Sequence, residues 1–292
     1  MSEQPPSRYF TTRAGLKLAT DEAGPAEGPV VLLMHGGGQT RHSWGGALST
    51  LAREGFHALT LDTRGHGDSD WSPNGDYDLE TLVEDIEDVI NTLGTPVALV
   101  GASLGGLVSL HVAARKNAKV TAVVLVDVVP RVEVEGAGEI IAFMEANLGG
   151  FASIEDAADT VAAYLPHRKR PPSPEGLRKN LRFRDGRYHW HWDPRMLVSR
   201  GPGPGSNRER HLQAAAAFKD VPTLLVHGGR SRVVSQEGVE EFRATIPNAE
   251  YVRLSDADHM VAGDANDAFS APLVNFLIRS VLTRTPREGR DN

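Results

Sequence analysis

The sequence contains no cysteine, which excludes disulfide bridges, thiolate metal sites and a cysteine nucleophile. It has no excess of positive charge: 31 Lys and Arg stand against 38 Asp and Glu, a formal net charge of -7. That balance argues against nonspecific nucleic-acid binding and against docking on an anionic membrane. No apolar run approaches the roughly 20 residues that a membrane-spanning helix needs. The opening MSEQPPSRYF lacks the basic start and apolar core of a signal peptide, and the chain shows no internal repeat. These absences lead to the expectation of a cytoplasmic protein that acts on a small molecule, with no nucleic-acid or membrane partner.

What is present fits a globular enzyme or binding protein. The 292 residues are 40% hydrophobic and 24% charged, enough to bury a sizeable core. Pro29 to Met34 is a continuous apolar run ending in Gly36-Gly37-Gly38, the pattern of a strand buried on both faces. Similar runs follow at Phe56–Leu61, Val97–Val100, Val120–Val126, Thr223–Val226 and, more weakly, Ala249–Leu254. Helical periods separate several of them. In LETLVEDIEDVINTLG one stripe holds Leu79, Leu82, Val83, Ile86, Val89, Ile90 and Leu93, and Gly94 stops the helix. Ala268 to Leu282 reads as a last amphipathic helix. Alternating strand and helix predicts an α/β fold with a mostly parallel central sheet and helices on both faces.

Residues 131 to 215 break the rhythm, with a basic proline-rich run (HRKRPPSP), an aromatic patch (RYHWHWDP) and a linker (GPGPGS). The expectation is a mainly helical lid over the site, inserted into a core made of 1–130 and 216–292. Within the patch, His189 and His191 alternate with Tyr188, Trp190 and Trp192, so the two sets point opposite ways on an extended chain. The aromatics either pack the lid or line the substrate pocket. With no carboxylate cluster beside the histidines, no metal site is expected.

The strand Val97–Val100 runs directly into Gly101-Ala102-Ser103-Leu104-Gly105-Gly106 and then into a helix. A sharp strand-to-helix turn exposes a serine hydroxyl in a strained conformation, and glycines two residues either side remove colliding side chains. The helix N-terminus puts backbone N–H groups beside any oxyanion that forms.

Four stretches, in this order, resemble the α/β-hydrolase fold family. They are His35-Gly36-Gly37-Gly38, the segment Asp62-Thr63-Arg64-Gly65-His66-Gly67-Asp68-Ser69, the serine turn, and Asp258-His259-Met260. The resemblance covers nearly the whole chain apart from the insertion. It implies Ser103 as nucleophile, His259 as its base, and an oxyanion hole made by the N–H groups of Leu104 and Gly37. Asp62, Arg64 and His66 are implied as scaffold, and no cofactor is implied. The implied reaction is hydrolysis of a small carboxylic ester or lactone through an acyl-enzyme. Carbon–carbon bond hydrolysis and peracid formation use a similar triad, and a receptor that has lost turnover is the rival of another class. Epoxide hydrolases and haloalkane dehalogenases place an aspartate where Ser103 stands.

One element of the family pattern is missing. Its acid usually follows the strand that ends here in HGGRSRVV, about where Ser231 and Arg232 stand, and an arginine cannot accept a hydrogen bond. Asp127, at the end of VTAVVLVD, is the favoured substitute, because a right-handed crossover places that strand beside the nucleophile's. Some dehalogenases and related members of the family carry their acid there. Asp256, Asp258 and Asp264 on the histidine's loop, and Glu237, remain open alternatives.

Overall fold

A computed structural model describes residues 5–115, 119–165, 173–198, 207–257, 259 and 269–283. The chain opens with an antiparallel pair, β1 (Arg8–Thr11) and β2 (Lys17–Ala23). It continues through β3 (Val30–Met34), α1 (Gly45–Arg53), β4 (His57–Leu61), α2 (Leu79–Leu93), β5 (Val97–Ala102), α3 (Leu104–Ala113) and β6 (Val120–Val126). The inserted segment follows, with α4 (Val134–Ala146), α5 (Ile154–Tyr164) and an antiparallel hairpin, β7 (Leu181–Arg184) and β8 (Arg187–Trp190). Then come α6 (Arg208–Ala217), β9 (Thr223–Gly228), α7 (Gln236–Thr245), β10 (Glu250–Leu254) and α8 (Ser270–Leu277).

The main sheet has the order β1-β2-β4-β3-β5-β6-β9-β10. From β4 to β10 every pairing is parallel; only β1 and β2 run against their neighbours. Side-chain alternation splits the core in two. Val31 and Leu33 of β3 face a cluster built with α1 and α8, whereas Leu32 and Met34 face one built with α2 and α3. Burial on both faces explains why these strands read as unbroken apolar runs. The helix α2 starts where the Asp78 carboxylate accepts from Thr81 N–H and ends at Gly94, whose φ of 70° closes it.

Three features differ from the sequence reading. The short edge strands β1 and β2 have no apolar run to announce them. The first half of RYHWHWDP, Arg187–Trp190, is the second strand of a hairpin: Asp185 and Gly186 form a two-residue turn with φ values of 51° and 76°, which suits the twist of the strands it joins. The helix α6 also crosses the boundary expected at residue 215, and it packs on α3 and α7. Among the described residues no helix is long and apolar enough to cross a membrane.

Candidate active site

The turn from β5 into α3 holds Ser103 at φ 47°, ψ −113°, a region that costs a side-chain-bearing residue about 1–3 kcal/mol. Its glycines are sterically required. A Cβ on Gly101 would come within 2.2 Å of the Gly105 carbonyl, and one on Gly105 within 2.6 Å of the Met34 carbonyl. A Cβ on Gly106 would stand 2.3 Å from Val128. The Ser103 N–H donates to the Val126 carbonyl at 3.1 Å, locking the turn to β6.

Asp127 follows directly at the end of β6, also at positive φ (51°). Its N–H donates to Val226 O at 2.7 Å, and Oδ1 accepts from the Gly228 N–H at 2.9 Å. Oδ2 lies 2.6 Å from Nδ1 of His259, and Nε2 of His259 lies 3.2 Å from Ser103 Oγ. Asp127 is fully buried and His259 is 9% exposed. A carboxylate only accepts, so Nδ1 carries the proton and Nε2 is free to accept from the serine hydroxyl.

The other carboxylates weighed from sequence are elsewhere. Asp256 is exposed against Arg230, and Glu237 is exposed against Arg131. Asp258 and Asp264 lie outside the described residues. Arg232 pairs with Glu139 of α4 at the surface.

The loop after β3 is held by histidines on three sides. Gly36 N–H donates to Gln39 Oε1 at 2.9 Å, and His35 Nδ1 meets Gly36 O at 2.8 Å. Gly38 N–H donates to His66 Nε2 at 3.2 Å. His191, at the end of the hairpin, has Nδ1 2.7 Å from the Gly67 N–H and Nε2 3.1 Å from Gly38 O. Because Thr63 N–H donates to His35 Nε2 and Gly67 N–H to His191 Nδ1, the remaining nitrogen of each ring must be the donor to its glycine carbonyl. Burial is the largest cause that pushes both His35 and His191 below the usual histidine range, so both are neutral. Nothing in the sequence singled out His191 for this.

Ser103, Leu104, Gly37 and His259 open on a cavity of about 240 Å³. Its wall is mostly apolar, with Leu82, Leu107, Val128, Ile140, Met144 and Val233, and its polar members are Arg64, Tyr77, Asp78, Asn207 and His211. Arg64 is ion-paired with Asp85. Asp62 pairs with buried Arg41, consistent with a scaffold role for both Asp62 and Arg64.

The expectation that Tyr188, Trp190 and Trp192 line the pocket is corrected. None of the three borders this cavity. They pack with Phe143, Met144, Phe151 and Leu181 in an apolar cluster that the inserted segment completes with Tyr77 of the main body, where Trp190 meets Phe151 edge-on at 5.1 Å between ring centroids. An insertion of this size needs an apolar core, and the large rings supply it. No group of three or more His, Asp or Glu side chains among the described residues could hold a metal ion.

Comparison with known proteins shows the family. The family model of the alpha/beta hydrolase fold matches residues 29–265. The esterase Rv0045c of Mycobacterium tuberculosis is 29% identical over 245 residues, covering 81% of this chain and 78% of its own. The 2-(acetamidomethylene)succinate hydrolase of Mesorhizobium japonicum is 28% identical over 253 residues, covering 86% and 88%. A crystal structure of E-2-(acetamidomethylene)succinate hydrolase superposes with a TM-score of 0.78 at 25% identity, covering 94% of this chain and 99% of that one.

Proposed function

Because the chain belongs to the alpha/beta hydrolase fold family, we propose that this enzyme is a serine hydrolase that cleaves a small carboxylic ester or lactone through an acyl-enzyme. Ser103 Oγ attacks the carbonyl carbon while its proton passes to His259 Nε2. The tetrahedral oxyanion sits between the N–H groups of Leu104 and Gly37. Leu104 opens α3, so its N–H has no intrahelical acceptor. His259 then returns the proton to the leaving oxygen, and the carbon–oxygen bond breaks. Water repeats the attack on the acyl-enzyme with His259 as base, which releases the acid and restores Ser103. Asp127 positions the imidazole and stabilises its cation. No step calls for a metal or an organic cofactor.

One observation carries the reading: the hydrogen-bonded line from Asp127 through His259 to Ser103 ends at a mostly apolar cavity. A fluorophosphonate probe and 4-nitrophenyl butyrate test it. One label per chain is expected, mapped to Ser103 and absent in Ser103→Ala, together with ester turnover that the same substitution abolishes. Labelling elsewhere, or turnover that survives Ser103→Ala, would overturn the mechanism. A folded protein with neither label nor turnover would point instead to a receptor.

A further inference from the structure

Asn207 and His211 both border the cavity. They lie one helical turn apart, joined by the backbone bond from His211 N–H to Asn207 O at 2.9 Å, so they share one face of α6. Leu79, Leu82, Leu107, Val132 and Ile140 form much of the surrounding wall.

His211 is 6% exposed. Its Nδ1 lies 2.8 Å from Nε2 of His111 on α3, with the rings edge to face at 5.0 Å. One proton is shared in that contact. Among the described residues neither His211 Nε2 nor the Asn207 amide makes a hydrogen bond. A nearly buried histidine that borders a cavity and engages one ring nitrogen with the described residues has its second nitrogen to offer a ligand atom.

The charge of this corner is equally defined. Burial pushes His111 down to about 3 and His211 to about 4, and Arg210 adds to both effects. Arg210 and Arg115 are themselves tied to Glu80. The pair is therefore neutral, and it can present either polarity. When His111 donates the shared proton, His211 Nε2 carries its own N–H; when His211 donates, Nε2 is an acceptor. Arg64, the cation in the cavity wall, is engaged by Asp85, and Asp78 adds negative charge to the wall. A carboxylate finds no free cation among these residues.

We propose that His211, backed by His111 and accompanied by Asn207, is a specificity-determining subsite for an uncharged oxygen function. The ester hydrolysed here carries a ketone, an amide carbonyl or a hydroxyl on an otherwise apolar chain. The inference rests on the serine-hydrolase reading above, and its test has one arm that needs no turnover.

The first arm compares matched esters. On the acyl side these are 4-nitrophenyl hexanoate against 5-oxohexanoate and heptanoate against 6-oxoheptanoate; on the alcohol side, hexyl acetate against 5-oxohexyl acetate. The 4-nitrophenyl monoester of adipate is the charged control. At least one oxo ester is expected to exceed its alkyl match by about tenfold or more in kcat/KM, the effect of one hydrogen bond at a desolvated site. That ratio should fall to about one in His211→Leu and be partly kept in His211→Gln. The second arm follows histidine 15N signals of the Ser103→Ala protein during titration with acetophenone or ethylbenzene. The ketone should move His211 Nε2, and the hydrocarbon should not. No oxo preference in any series, a preference for the adipate monoester, or an unchanged ratio in His211→Leu would overturn the subsite. A ketone that leaves His211 Nε2 unmoved would do the same. Loss of all hydrolysis with the ketone shift intact would count against the serine-hydrolase reading and leave the subsite standing.

Discussion

Asp127 Oδ2 lies 2.6 Å from Nδ1 of His259, 132 positions further along the chain, and it reaches that place from the end of β6. The neighbouring strand β9 supplies the Gly228 N–H that fixes the carboxylate's other oxygen. One acid thus spans two strands, and its second hydrogen bond decides what an amide in its place would do.

In Asp127→Asn, the side-chain oxygen is held by Gly228 N–H, which leaves the NH₂ group facing His259. Nδ1 must then accept, so the ring's own proton sits on Nε2 and the Ser103 hydroxyl is left without a base. We expect a folded protein with kcat lowered on the order of 10⁴-fold. Combining it with Ser103→Ala should add little to Ser103→Ala alone. Near-wild-type turnover in Asp127→Asn would exclude Asp127 as the acid.

Arg232 occupies the place where the family usually carries its acid, yet it faces Glu139 at the surface with 62% of its side chain exposed. Arg232→Ala should keep kcat within about twofold and shift stability by less than about 1 kcal/mol, as exposed ion pairs do. Steady-state kinetics and a denaturant melt decide it; a large kcat loss would show that this loop takes part in the reaction.

Trp192 is 1% exposed within the insertion's apolar cluster. Trp192→Ala should therefore act on stability, with a loss of about 3–5 kcal/mol, and leave the ranking of acyl chain lengths as it was. A changed ranking at an unchanged melting temperature would return the ring to the pocket.

His191 bonds the Gly38 carbonyl and the Gly67 N–H, which fixes the loop that carries Gly37. His191→Ala should lower kcat by roughly 10²-fold with a smaller change in KM, since a displaced oxyanion donor weakens the transition state more than the ground state. Affinity for a phenylboronic acid should fall in parallel. Equal losses in kcat and in folded fraction would mean a purely structural role.

Burial of His111 and His211 should cost the fold stability at acid pH. Unfolded histidines take up protons near pH 6.5, whereas in the fold His111 does so only near 3 and His211 near 4. Their folded values are depressed, so the unfolded state binds more protons between those limits and stability falls as pH drops from about 6.5 towards 4. The melting temperature should decline over that window, and less steeply when His111 and His211 are replaced together by Phe and Leu. A slope unchanged by the double substitution would assign the effect to other groups.

Much of the fold was legible because its signals are local. β3, β5, β6 and β9 are buried on both faces, and that condition writes itself as unbroken apolar runs. The serine turn needs glycine at 101, 105 and 106 because backbone atoms or Val128 stand within 2.2–2.6 Å of where a side chain would begin, so the sequence has no freedom there. Ser103 is pointed to by the same turn, His259 only through the resemblance of Asp258-His259-Met260 to the family's motif, and Asp127 by the handedness of one crossover. The edge strands β1 and β2 lack such a run, and an alternating aromatic patch is compatible with both a packed cluster and a pocket wall. Whether Trp192 meets substrate, which nitrogen of His191 donates, and that His111 and His211 touch across 100 positions depend on how α3, α6 and the insertion pack together. No short stretch of chain encodes those contacts, because each is made between segments whose own local structure is satisfied without it.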